Sequence, residues 1–305
     1  MKKLFIATLA IAALASCNKD QVINFDKSPI NFGDAFVDNA TKAIYEGDTK
    51  VDAFKVWGTV TGNGNTVLIF DGADVTRTKS GSADKNYGEA WYCDVTRYWT
   101  PSCTYNFTAI VDATSVTTTN GAMPTAINYT ADGVSDLLYG VTDTDAITTS
   151  ADCTVTGLNA NNCVAFTMKH LLSKMYFEVV SGLESPYTIN VTKIEVSGIQ
   201  QNGIYTIGAA TPWTKDGDTT TSFDFIDGAK VIIPVVQTLN VAITYDVLFD
   251  GTTISPGVTK TGTIPATAYA ENTVYKVSAT IGLTEIQFSI STVEGFGTGS
   301  DVTVQ

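Results

Sequence analysis

The sequence predicts an all-β protein built from two tandem β-sandwich domains, of transthyretin-like or Greek-key type, and three observations carry that reading. Short runs with alternating apolar residues recur along the chain: Val56 to Val60, Val67 to Phe70, Tyr105 to Val111, Met175 to Val180, Ile189 to Val196, Val231 to Val236, Leu239 to Leu248 and Val274 to Ile281. Alternation is the period of a strand with one buried face. Turn chemistry separates the runs, as Gly62-Asn63-Gly64-Asn65, Asp216-Gly217-Asp218, Asp227-Gly228 and Asp250-Gly251. Composition agrees. Of 305 residues only 16% are charged, below the roughly 25% of ordinary globular domains, so Thr, Ser, Asn and Gly must wet the surface. Sandwiches suit that balance, because each sheet covers the other's apolar face and leaves an uncharged, polar outer face. No window carries a long helical stripe; the best helical candidate is the short Phe166 to Lys174 segment.

The N-terminus reads as an export signal. Lys2 and Lys3 precede an apolar run from Leu4 to Leu14, which is too short to span a bilayer as a helix. It ends in Leu14-Ala15-Ser16-Cys17, which resembles the lipobox of bacterial lipoproteins. That resemblance implies removal of residues 1–16, diacylglyceryl and acyl chains on Cys17, and stable anchoring in the outer membrane, because each buried CH₂ contributes about 0.8 kcal/mol. Asn18-Lys19-Asp20 follows and resembles the surface-export signal of Bacteroidetes lipoproteins, which favours the outer face of that membrane. The net charge of −13 and pI near 4.4 argue against a nucleic-acid partner, which needs a basic patch.

An N-terminal domain is expected over 17–163 and a C-terminal domain over 164–284, with 285–305 as an extension. The boundary rests on the segment Val111 to Asn162, where alternation weakens, and on the fresh strand series that begins near Val164. Four cysteines remain beyond the lipobox, Cys93, Cys103, Cys153 and Cys163. In an exported chain an even count suggests disulfides. Three connectivities are possible; the equal ten-residue spacing, each enclosing a turn signal, favours Cys93–Cys103 and Cys153–Cys163.

Catalytic chemistry is thinly represented. The single histidine, His170, is expected to be structural, bonded to nearby backbone. Asp143-Thr144-Asp145 and Asp216-Gly217-Asp218 look like the opening of a calcium loop but lack its later ligands. No phosphate-binding glycine loop or G-x-S-x-G turn occurs, and no carboxylate pair stands out for glycoside hydrolysis. No cofactor, metal or enzymatic activity is expected. Trp57, Trp91, Trp99 and Trp213 could form a sugar-stacking platform, although aromatics in sandwiches are mostly core.

Longer motifs carry a family resemblance. Phe166-Thr167-Met168-Lys169-His170-Leu171-Leu172-Ser173-Lys174-Met175-Tyr176-Phe177 resembles a stretch of the Bacteroidetes fimbrillins, the subunits of donor-strand pili. Asp136 to Gly140, Val231-Ile232-Ile233-Pro234-Val235-Val236-Gln237, Leu239 to Tyr245, Asn272 to Val277 and Ile286 to Gly295 are similar to further segments in family order. The resemblance implies a surface-exposed, lipid-anchored precursor from which a trypsin-like protease removes an N-terminal strand. The vacated groove then accepts a strand from a neighbouring subunit, by β-augmentation, in a head-to-tail polymer. Val22, Ile23 and Phe25, and then Ile30-Asn31-Phe32, are candidates for the displaced strand. Lys42, in Thr41-Lys42-Ala43, is the processing candidate and departs from the family's usual arginine. Ile286, Phe288 and Ile290 alternate as a donated strand should, although they also suit an ordinary edge strand. The implied partners are other fimbrial subunits, the outer membrane, and a host or bacterial surface receptor. The rival reading is a surface glycan-binding lipoprotein of a polysaccharide-uptake system.

Overall fold

The computed structural model describes residues 28–37, 51–77, 91–119, 121–142, 146–282 and 286–293, and among them the regular elements are all strands. The first eleven are β1 (Phe32–Val37), β2 (Ala53–Gly62), β3 (Asn65–Thr76), β4 (Tyr92–Cys93), β5 (Thr104–Val111), β6 (Ser115–Thr118), β7 (Pro124–Thr130), β8 (Leu138–Thr142), β9 (Ile147–Thr149), β10 (Val155–Thr156) and β11 (Val164–His170). The rest are β12 (Ser173–Ser181), β13 (Tyr187–Gln200), β14 (Asn202–Thr206), β15 (Trp213–Lys215), β16 (Thr220–Asp224), β17 (Lys230–Ile232), β18 (Val236–Phe249), β19 (Thr252–Ala268), β20 (Thr273–Ile281) and β21 (Ile286–Val293). The Phe166 to Lys174 segment is therefore β11 and the start of β12, not a helix. Phe166, Met168 and His170 are buried while Thr167 and Lys169 face out, the two-residue period of a strand.

The first sheet has nine strands, with a main path β1-β11-β8-β5-β2-β3-β4; β9 pairs with β5, and β10 with β9. The β2–β3 hairpin turns on Asn63 and Gly64, both at positive φ, as a two-residue type I′ turn requires. Four strands separate β1 from β3 on this path, yet the Phe32 and Phe70 rings meet edge-on at 5.1 Å. The sheet must therefore curl over and close around a single core, whose members include Phe32, Phe54, Phe70, Phe107 and Phe166.

Beyond His170 two four-stranded sheets, β17-β12-β20-β21 and β16-β13-β18-β19, face each other across a second core that includes Phe177, Val196, Phe225, Val241, Ile243 and Val277. This is a β-sandwich, and each sheet contributes alternate residues to it. Because β11 pairs with β8 and β1, the change of sheet falls after His170, one strand later than the expected boundary at Val164. The alternation that starts at Val164 serves the first core.

A fourth sheet, β15-β14-β7-β6, draws two strands from each side of His170. It covers a third core in which Trp57 and Ile110, from the first sheet's outer face, meet Ile127, Tyr205, Val231 and Ile233. Trp213 Nε1 donates to Leu171 O at 2.8 Å. The junction between the two halves is thus packed and hydrogen-bonded.

Candidate assembly site

Two terminal strands occupy sheet edges. The first, β1, lies parallel to β11, with Phe32 opposite Val164 and Ala35 opposite Phe166. Its lead-in is held by the segment before β5: Ile30 N donates to Arg97 O at 2.8 Å, Trp99 N to Ser28 O at 3.2 Å, and Pro29 bridges to Tyr98. Val164 N donates to Asn31 O at 2.8 Å and Trp91 N to Phe32 O at 2.7 Å. Ile30, Phe32 and Ala35 are all buried. Phe32 is the hub, with ring centroids 6.5 Å from Phe54, 5.1 Å from Phe70, 5.7 Å from Phe107 and 6.2 Å from Phe166. Full burial of one such side chain stabilises by about 1.5–3 kcal/mol.

The last strand, β21, pairs antiparallel with β20 along its whole length, from Ile286 opposite Ile281 to Val293 opposite Val274. Ile286, Phe288 and Ile290 are half-buried against the second core, while Gln287, Ser289 and Ser291 are exposed. The Phe288 ring lies over Gly262 of β19, where a Cβ would come within 2.4 Å of Phe288 Cε2. The candidate donor residues are therefore an edge strand of their own chain, held on one side by β20. Cys17, Val22, Ile23, Phe25 and Lys42 lie outside the described residues, as do Asp143 and Asp145.

The motif residues are tied into the fold by side-chain contacts. His170 Nδ1 meets Asp136 Oδ2 at 2.5 Å, both buried, so one of its partners is a side chain of the preceding motif. The neighbouring Lys169 points the other way, with Nζ 3.2 Å from Tyr205 Oη, 3.9 Å from Glu271, and over the Tyr139 and Tyr205 rings. Burial pulls its pKa down, but the Tyr205 hydroxyl and Glu271 outweigh that and hold the ammonium up. Gln237 is buried; its Oε1 accepts from Gln200 N at 2.7 Å and its Nε2 donates to Ile233 O at 3.1 Å. That pairing satisfies the Gln200 backbone donor and gives the Ile233 carbonyl, which also accepts from Val235 N at 2.9 Å, a second donor.

Other candidates scatter. Trp57, Trp91 and Trp99 are buried and Trp213 is spent on Leu171, so they form no exposed platform. Asp216, Gly217 and Asp218 form a turn with Gly217 at φ +77, and among the described residues no group of His, Cys, Asp or Glu could hold a metal ion. No disulfide is formed among the described residues. Cys93 pairs with Val75 on β4, whereas Cys103 sits beside Thr149 and the turn that carries Cys153, so equal spacing does not make Cys93 and Cys103 neighbours. Sequence reading missed Gly262 as the seat of Phe288, and Arg97 and Trp99 as anchors for β1. Neither carries a local signal, because each acts across a long separation in sequence.

Comparison with known proteins fits this arrangement. Among curated proteins none is similar enough to match. Two crystal structures share the fold: a fimbrial protein from Bacteroides vulgatus, at 14% identity and TM-score 0.55 over 86% of this chain and 99% of that one, and a candidate cell adhesion protein from Bacteroides uniformis, at 13% identity and TM-score 0.54 over 88% and 98%. The Fimbrillin-like family matches residues 41–295, which is most of the chain, and the protein belongs to that family.

Proposed function

We propose that this chain is a cell-surface fimbrial subunit or adhesin that polymerises head to tail by exchanging the two terminal strands. Its family is structural rather than enzymatic, and a protein of the same fold is described as fimbrial, which supports a role at the cell surface. In this reading a lipid-anchored precursor is cut after Lys42, and β1 leaves with everything before it. The edge of β11 then opens over a slot that Phe32, Ile30 and Ala35 had filled. The incoming strand is β21 of a neighbour, whose Ile286, Phe288 and Ile290 alternate to fill pockets while its main chain continues the ladder. The same strand paired to its own β20 covers an edge that would otherwise invite aggregation.

The observation that carries the proposal is the placement of Phe32: a residue on the expected cleavable side of Lys42 forms the hub of the first core. A strand that supplies the centre of a core cannot be removed without a replacement. The test is mild trypsin treatment of the precursor followed by native gels. A ladder of multimers is expected, abolished by Lys42→Ala combined with Lys50→Ala, which removes both trypsin sites between β1 and β2, and by deletion of residues 285–305. Trimmed protein that stays monomeric at high concentration, even with partner pilins added, would refute polymerisation. Unchanged assembly after the deletion would exclude β21 as donor.

A further inference from the structure

Sheet register, rather than sequence spacing, decides which cysteines are neighbours. Cys103 N donates to Thr149 Oγ1 at 2.9 Å, and Thr149 N donates to Cys103 O at 2.9 Å. One residue along, Ser102 N and Cys153 N both donate to Ser150 O, each at 3.0 Å. The peptide units beside the two cysteines thus converge on one carbonyl oxygen. Gly62 leaves space at the sulfur, since a Cβ there would lie 2.7 Å from Cys103 Sγ. Burial first, then charge on Cys153, push the Cys103 thiol up. Cys93 is elsewhere. Its partner Val75 faces Phe54 of β2, whereas Cys103 follows the Thr61–Thr104 pair, seven positions along the same strand and about 23 Å away at 3.3 Å per residue.

We propose that Cys103 and Cys153 form a disulfide in the exported protein, tying the segment before β5 to the β9–β10 turn. Two S–H bonds break and one Sγ–Sγ bond forms; two protons pass to water, and two electrons reduce the disulfide of a thiol oxidase in the oxidising cell envelope. The residues just before the staple, Arg97 to Trp99, hold the lead-in of β1. On the assembly reading given above, and only for this consequence, the staple keeps that end of the groove in shape once β1 has gone.

The test uses the full-length protein isolated from cells with its thiols blocked by iodoacetamide. Trypsin alone leaves Cys103, Cys153 and Cys163 in one peptide, because no Lys or Arg lies between Arg97 and Lys169. An Asp-specific protease with chymotrypsin separates them, since Leu158 divides Cys153 from Cys163. Mass spectrometry is expected to find the Cys103 peptide cross-linked to the Cys153 peptide, with Cys93 alkylated. Either cysteine alkylated, or joined to a different cysteine, would overturn the proposal. Reductant should lower the Tm of wild type by roughly 10 °C, as expected for closing a loop of about fifty residues, and should leave the Cys103→Ser/Cys153→Ser variant unmoved. An unmoved wild type would also overturn it. A confirmed cross-link in a protein that never polymerises would refute the assembly reading and leave the disulfide standing.

Discussion

Gly262 gives the most direct handle on β21. A Cβ at this position would lie 2.4 Å from Phe288 Cε2, closer than real Cβ contacts come, and a tight 3.3 Å from Cζ. The clash is with the far side of a half-buried ring on an edge strand, whereas β19 is fixed by its long ladder to β18. In Gly262→Val, β21 should therefore yield, not β19. Val suits a strand backbone, so the cost is steric: about 1–3 kcal/mol for overpacking, of which roughly 1 kcal/mol is the lost half-burial of Phe288. Hydrogen exchange followed by mass spectrometry is the assay. Amides of β21 should lose about tenfold or more in protection, since 1.4 kcal/mol is a factor of ten in an opening equilibrium, while those of β18 stay protected. Phe288→Ala in the same chain removes the clash, so the double variant should be more stable than the sum of the two single changes predicts. Unchanged β21 protection in Gly262→Val, or strictly additive costs, would refute the argument that Phe288 seats β21 on Gly262.

Three further outcomes follow from the packing. Phe32→Ala should cost about 3–5 kcal/mol in urea denaturation, because its ring is fully buried among four others; a loss below about 1 kcal/mol would remove it from the centre of the core. Gln237→Leu strands the Gln200 N–H, at about 1–3 kcal/mol for that buried donor, while the Ile233 carbonyl keeps the Val235 N–H; a loss below about 0.5 kcal/mol in urea denaturation would contradict the hydrogen-bond account. Burial pushes the Tyr269 phenol up to about 12 from 10.0, and Tyr105, Tyr129 and Tyr139 shift the same way, chiefly through burial. Their neutral forms favour the fold, so this stability is complete below pH 10 and is lost as pH rises through the folded values. Tyr269 alone accounts for about 2–3 kcal/mol by pH 12. Tyrosinate absorbance at 295 nm should rise in step with unfolding, and ionisation of all thirteen tyrosines near pH 10 in the folded protein would contradict it.

What was legible in the sequence was local. Alternation placed most strands, and Asn63-Gly64 placed a hairpin, because both signals act through neighbouring residues. The best helical candidate, Phe166 to Lys174, joins two strands whose combined apolar pattern imitates a short helical stripe. The change of sheet follows β11 instead of preceding it, because β11 alternates like the strands after it but pairs backward with β8. His170 pairs with Asp136 from 34 residues away, and no periodicity reports a pairing at that range. The same limit hid the Gly262 seat, the Arg97 and Trp99 anchors, and the sheet that β7 shares with β14 across the junction. The candidate assembly site was legible as two end segments, not as the grooves they fill.

The two end strands are held by different physics, and that difference bears on how exchange could be controlled. The β1 region contributes three buried side chains and is pinned by Arg97 O, Trp91 N, Trp99 N and Val164 N. At about 1.5–3 kcal/mol for each large apolar group, its spontaneous departure would consume much of the 5–15 kcal/mol that holds an ordinary domain together. The β21 strand contributes three half-buried side chains, all on one face, and pairs on one side only. Local opening free energies are lowest at such elements. On the proposed route, then, the acceptor groove would stay shut until a peptide bond is cut, because only then does β1 become a separate, dilutable ligand instead of a tethered one at high effective concentration. The donor would need no such trigger. It could sample detachment continually and would be captured only where a cut neighbour offers the deeper, Phe32-shaped slot. A chain carrying Phe32→Ala in β1 weakens the tethered plug without altering the donor, so it should exchange strands before proteolysis. Uncut Phe32→Ala precursor that remains as monomeric as wild type, at concentrations where cut wild type forms ladders, would show that tethering alone, and not the depth of the Phe32 seat, keeps the groove closed.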